Sequence, residues 1–299
     1  MSRCRASSRP NGPTMIDGVL LIGGGVAAGL FGSLLGLGGG TLIVPILTLG
    51  FGLALIKAIG VSLICVIVTS GAAAGVYLER RVANLRLGMT LELFTACGAL
   101  IGGLVAFLLP EHVLELLFTA LLVYVAVTMA RRREPARVAG APETADDPDD
   151  AAAPDAPVDD GLVADDSFAA RMSGPGYRVH RLGFGVVGSV GAGVVSALLG
   201  IGGGLIKVPV MHVVMGVPLR VATATSNLMI GITGSAGAII YLLRGGIDPY
   251  VAAPTAIGVF VGASIGSRAA HRIDVRILRG LFVAILLYTA WQMLQRALA

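Results

Sequence analysis

Leu34-Leu35-Gly36-Leu37-Gly38-Gly39-Gly40, closed by Val44-Pro45, returns 164 residues later as Leu198-Leu199-Gly200-Ile201-Gly202-Gly203-Gly204, closed by Val208-Pro209. The surrounding chain keeps that offset without a gap. Ser62 meets Ser226, Tyr77-Leu78 meets Tyr241-Leu242, Asn84 meets Asp248, Gly98-Ala99 meets Gly262-Ala263, and Tyr124 meets Tyr288. Shared hydrophobicity alone would not hold such a register, so the chain reads as one unit duplicated and fused. Matched helix breaks in the two halves of an apolar chain are the sequence mark of a transporter, with its site where the halves meet.

Composition sets the solvent. Hydrophobic residues make up 55% of the chain and charged residues 13%, against about a quarter charged in a soluble domain. Lipid is therefore the expected partner of most of the surface. Apolar stretches near 16–36, 57–78, 88–109, 112–130, 183–201, 220–243, 250–268 and 275–296 are each close to the roughly 20 residues that cross a hydrocarbon core as a helix. Shorter apolar pieces at 41–55 and 205–217 follow the glycine runs and read as half-helices or re-entrant segments. The expected fold is an all-α polytopic membrane protein of about eight transmembrane helices in two homologous four-helix repeats, each with a Gly-rich broken helix. Cys4, Cys65 and Cys97 lack metal-ligand spacing, and the latter two read as packing residues within spans; no metal, cofactor or disulfide framework is implied.

Four segments follow: an N-terminal tail at 1–14, the first repeat at 15–130, an acidic linker at 131–182 and the second repeat at 183–299. The linker holds 11 of the 18 acidic residues, among them Asp146, Asp147, Asp149, Asp150, Asp159 and Asp160, interspersed with Ala and Pro. So little apolar surface cannot offset chain entropy, and the segment reads as a disordered tether. Outside it, 15 basic residues face 7 acidic ones, a balance that suits anionic cargo. Eight crossings would place Arg80, Arg81, Arg86, the linker and both termini on one side, which the positive-inside rule makes cytoplasmic. If the Pro45 and Pro209 segments cross fully, the halves become inverted; parallel and inverted repeats both stay open.

The glycine runs are the candidate site. In hydrocarbon a helix is interrupted only where protein or a wet cavity surrounds it. Gly38, Gly39, Gly40, Gly202, Gly203 and Gly204 admit close approach of backbone to a ligand, and the helices resuming after them offer unpaired N–H groups to an oxyanion. Ser62 and Ser226 are matched donors near these breaks, with Thr225 and Asn227 beside the latter. Lys207 stands where the first copy has Ile43; an embedded ammonium marks either attraction of a ligand or a snorkelling position. Glu92 is the better placed embedded group for proton coupling, although its place early in a span suggests the headgroup layer. Asn84 and Asp248 read as helix caps. The pairs Gly25/Gly29 and Gly98/Gly102 have the spacing of tight helix packing rather than ligand binding. Neither glycine run is a nucleotide loop, and no H-E-x-x-H or G-x-S-x-G motif appears, so no catalytic residue and no nucleic-acid partner is expected.

Two halves that each carry L-L-G-[LI]-G-G-G-x-x-x-V-P, followed by Gly60-Val61-Ser62-Leu63 or Ala224-Thr225-Ser226-Asn227, resemble the sulfite exporter TauE/SafE family of membrane permeases. The resemblance covers nearly the whole chain outside 1–14 and the linker, which looks like an insertion. It implies a bacterial inner-membrane transporter of small sulfur-containing anions such as sulfite or organosulfonates. Alternating access about the breaks, with protons as candidate coupling ion, is the leading reading; an anion channel and a membrane assembly factor are the alternatives. Homo-oligomer formation is compatible with the sequence.

Overall fold

The computed structural model describes residues 15–35, 40–79, 84–131, 179–269 and 275–298, and they are helical nearly throughout. In chain order the helices are α1 (Met15–Leu35), α2 (Gly40–Pro45), α3 (Leu55–Glu79), α4 (Leu85–Ala106), α5 (Glu111–Arg131), α6 (Leu182–Leu199), α7 (Gly204–Pro209), α8 (Leu219–Leu243), α9 (Pro249–Ala269) and α10 (Val275–Leu298). The starts of α2, α3, α4 and α5 recur 164 residues later as the starts of α7, α8, α9 and α10. All eight stretches read as spans from the sequence fall on helices, with ends displaced by a few residues. Five helical segments, Leu85–Ala106, Glu111–Ala130, Leu182–Leu199, Val221–Leu243 and Pro249–Gly266, are long and apolar enough to cross a membrane; Gly18–Ser33 and Leu55–Gly71 are shorter apolar stretches. The expected tail at 1–14 and the linker, apart from its ends, lie outside the described residues.

The short helices α2 and α7 owe their shape to proline. Pro45 and Pro209 keep helical angles (φ −59° and −58°), but neither can donate to the preceding turn. The chain answers in both places by widening into a π-helical turn, Ile46–Gly50 and Val210–Val214, the irregularity that often marks functional positions. Thr48 Oγ1 donates to the Val44 carbonyl at 2.9 Å, which supplies a local partner beside the interruption.

Packing runs across the linker rather than within each half. Helix α1 lies against α9, α4 against α6 and α8, α5 against α10, and α3 against α8 and α9. Glycine makes the closest of these seams possible. A Cβ on Gly25 would meet the Thr255 carbonyl and one on Gly262 that of Val26, while Gly98 and Gly102 lie against the carbonyls of Val190 and Val194. The Gly25/Gly29 and Gly98/Gly102 pairs therefore serve helix packing, as their spacing suggests. Large apolar side chains such as Met89, Leu93, Phe184, Ile257 and Trp291 point outward, the arrangement of a protein dissolved in hydrocarbon. Cys65 packs in the core, but Cys97 faces out, since its helix turns that position away from α6 and α8.

The caps also agree with the sequence. The Asn84 side chain accepts from Leu87 N–H at 3.1 Å, and Asp248 Oδ1 accepts from Tyr250 N–H at 3.0 Å. Replacing Asn84 by Ala removes a cap worth about 1 kcal/mol. The expected outcome is a lower midpoint of thermal unfolding in detergent.

Candidate functional site

The second glycine break lies against Gly40, the last glycine of the first run. Gly200, Gly202 and Gly203 hold φ of 70°, 81° and 71°, left-handed conformations that only glycine adopts cheaply. They end α6 and restart the chain as α7. A Cβ on Gly40 would lie 2.7 Å from the Gly200 carbonyl and 3.1 Å from Ser62 Oγ. The backbone at Gly40 thus touches that of the second break. Ser62 closes the junction: buried in α3, its hydroxyl lies 2.7 Å from the Gly200 carbonyl and 3.2 Å from that of Gly40. Gly38 and Gly39 lie outside the described residues.

Ser226, the counterpart of Ser62, behaves differently. Among the described residues its hydroxyl is buried without a hydrogen-bond partner, as are those of Thr41 and Ser196. Buried hydroxyls almost always find partners, so three unpartnered ones beside the breaks call for an explanation. Thr41 follows Gly40 directly. Ser196 Oγ lies 3.5 Å from where a Cβ on Gly203 would sit, and Ser226 Oγ 3.6 Å from one on Gly204. Three hydroxyls in this setting can donate to an oxyanion. Ser62 and Ser226 were matched in the sequence, but the first is engaged by backbone carbonyls and the second is not. Thr41 and Ser196 were missed, although each lies within one turn of a glycine run.

The neighbouring candidates each take part in a contact between helices. Thr225 Oγ1 accepts from Asn84 N–H at 3.0 Å and so ties the start of α4 to α8. The Asn227 carbonyl accepts from Ser70 Oγ at 2.6 Å, joining α8 to α3.

Lys207 neither snorkels nor faces solvent. Its side chain is buried, with Nζ 2.9 Å from Glu92 Oε2 and 2.5 Å from Thr233 Oγ1. Thr233 Oγ1 lies 2.6 Å from Glu92 Oε1. Glu92 is likewise buried, at 3% exposure, which corrects the headgroup position suggested by its place in the span: α6, α7 and α8 cover that end of α4. The triad connects α4, α7 and α8. Thr233 was not singled out in the sequence.

The profile of the family described as sulfite exporter TauE/SafE matches residues 21–293. The chain is 23% identical over 265 residues to the "Probable membrane transporter protein YunE" of Bacillus subtilis, covering 86% of this chain and 90% of that protein. Over 110 residues it is 30% identical to the "Probable membrane transporter protein MamO" of Magnetospirillum gryphiswaldense and 32% identical to that of Paramagnetospirillum magneticum, in each case 34% of this chain and 17% of the relative. No solved structure matches.

Proposed function

The chain belongs to the sulfite exporter TauE/SafE family and is a multi-pass membrane transporter, and from that premise we propose that it carries small sulfur-containing anions, sulfite or organosulfonates, through a site at the junction of the two glycine breaks. The observation that carries this reading is the bridge from Ser62 Oγ to the carbonyls of Gly40 and Gly200, together with the buried hydroxyls of Thr41, Ser196 and Ser226, each near a glycine of a break and without a partner among the described residues. The anion takes the place of their missing partners. A tetrahedral or pyramidal oxyanion presents several acceptors at once, which suits a site offering more than one hydroxyl donor.

We take the halves to be repeats that rock about this junction. The recurrence of helix starts and the exchange of packing partners across the linker support that view. Eight helices cross the bacterial inner membrane, with the linker on the cytoplasmic side, and α2 and α7 form the broken elements. No chemical conversion is assigned to the protein; its work is translocation.

Two serine variants separate binding from structure. Ser226→Ala removes a hydroxyl with no partner among the described residues, so stability holds while a donor to the anion is lost. Hydrogen bonds to charged groups are worth roughly 1.5–3 kcal/mol, so the KM for sulfite in proteoliposomes rises about 10- to 100-fold. Ser62→Ala instead leaves buried carbonyls short of a donor, destabilising by about 1–3 kcal/mol. A Ser226→Ala protein with wild-type KM would remove that hydroxyl from the site.

A further inference from the structure

Resting on the anion-carrier reading, we propose that the Glu92–Lys207–Thr233 cluster is the coupling site, in which Lys207 changes partner from the Glu92 carboxylate to the transported anion as Glu92 takes up a proton.

Among the described residues Lys207 is the buried basic side chain, and it lies in the first turn after Gly204, where its N–H bonds to the Gly203 carbonyl at 3.0 Å. An anion arriving at the second break therefore meets this ammonium. Ser226 and Thr233 are seven residues apart, two turns along one face of α8, or about 10 Å. The anion thus passes between an unpartnered hydroxyl and the cluster. Burying one charge alone is costly, whereas replacing a buried pair by apolar groups is often neutral or stabilising. Stability alone would not retain the pair.

The chain itself supplies the comparison. At the matching positions of the other half, Lys207 corresponds to Ile43 and Glu92 to Ala256. The two charges come one from each half and meet at one of two matching places, whereas the other place has neither, and Ile43 there is buried in the core. The same packing problem is thus met there without charge.

Charge balance fixes the stoichiometry. With Glu92 ionised and Lys207 protonated the cluster is neutral. A monoanion that pairs with Lys207 leaves it neutral only if one proton binds Glu92, so one proton travels with each monoanion. The groups facing Glu92 fit such a titration: α7 brings Lys207 and α8 brings Thr233. Helix α6 carries no ionisable side chain. Tyr241 of α8 is engaged by the Ala197 carbonyl at 2.9 Å.

The test uses the full chain in proteoliposomes, with labelled sulfite and a luminal pH dye. In the wild type an inward proton gradient accelerates sulfite uptake and protons enter with it. In Glu92→Gln that acceleration falls to about one, and sulfite-dependent proton entry disappears. Lys207→Met lowers sulfite uptake about a hundredfold or more, in line with losing a desolvated charge partner. The double variant Glu92→Ala/Lys207→Ile copies the residues at the matching positions, Ala256 and Ile43, so it inserts and stays monodisperse yet shows no coupled uptake. Wild-type coupling in Glu92→Gln, or wild-type uptake in the double variant, overturns the proposal. An independent readout needs no flux: the infrared band of a protonated carboxylic acid, followed on adding sulfite at mildly acidic pH, grows in the wild type and is missing in Glu92→Gln. Absence of a Glu92-dependent band overturns the coupling site. A band without flux of any sulfur anion overturns the carrier reading instead.

Discussion

Gly203→Leu abolishes anion flux while leaving the protein inserted in the membrane. Gly203 sits at φ 71°, where a side chain costs roughly 1–2 kcal/mol, and a Cβ there would lie 3.2 Å from Ser196 Cβ and 3.3 Å from the Ala192 carbonyl. Neither neighbour is the far end of a flexible chain. The leucine therefore displaces the break and occupies the space beside the unpartnered Ser196 hydroxyl. Misplacing a site by about 1 Å can cost a hundredfold, and the expected flux per inserted molecule falls by at least that much. Gly39→Leu, at the other glycine run, is expected to act alike. Normal flux in Gly203→Leu, normalised to folded protein, would remove the break from the mechanism.

Gly193→Leu has the second large effect, on assembly rather than transport. A Cβ at Gly193 would run into the Thr95 carbonyl and lie 2.9 Å from Ala99 N, against the backbone of α4. Overpacking typically costs about 1–3 kcal/mol, and a backbone-on-backbone seam leaves little room to relax. The expected result is loss of monodisperse protein in detergent. Gly191, two residues away, has nothing within 4 Å of its Cβ position, so Gly191→Leu serves as the control and keeps its yield. Equal yields for both variants would mean that α4 and α6 do not pack through glycine.

The helices were legible because their signals are local. Apolar runs of span length gave α1, α3–α6 and α8–α10, and the repeated G-G-G-x-x-x-V-P element gave α2 and α7, since a glycine run and a proline interrupt a helix wherever they occur. Spacing alone also identified the packing glycines. The division of labour between matched residues was not legible. Ser62 and Ser226 stand at equivalent positions, yet only three-dimensional contact reveals that Ser62 is engaged by Gly40 and Gly200. Thr41 and Ser196 are single hydroxyls, and nothing in their spacing distinguishes them from threonines and serines that bond their own helix, as Thr95 and Thr119 do. For Lys207 and Glu92 a signal did exist. Each breaks the correspondence between the halves, one in each half, and their charges are opposite, which is what a pair formed across the halves at only one of two matching places would leave in the sequence. Thr233 gives no such sign, because its counterpart is also threonine, Thr69.

The most direct test of the central claim is uptake of labelled sulfite by proteoliposomes containing the purified full chain, competed in turn by sulfoacetate, thiosulfate, sulfate and chloride. A carrier of small sulfur anions with a site built from hydroxyls at the glycine junction predicts saturable sulfite uptake that the organosulfonate suppresses and chloride does not. Folded, inserted protein that moves neither sulfite nor any of these competitors, or that passes chloride without saturation, would contradict it.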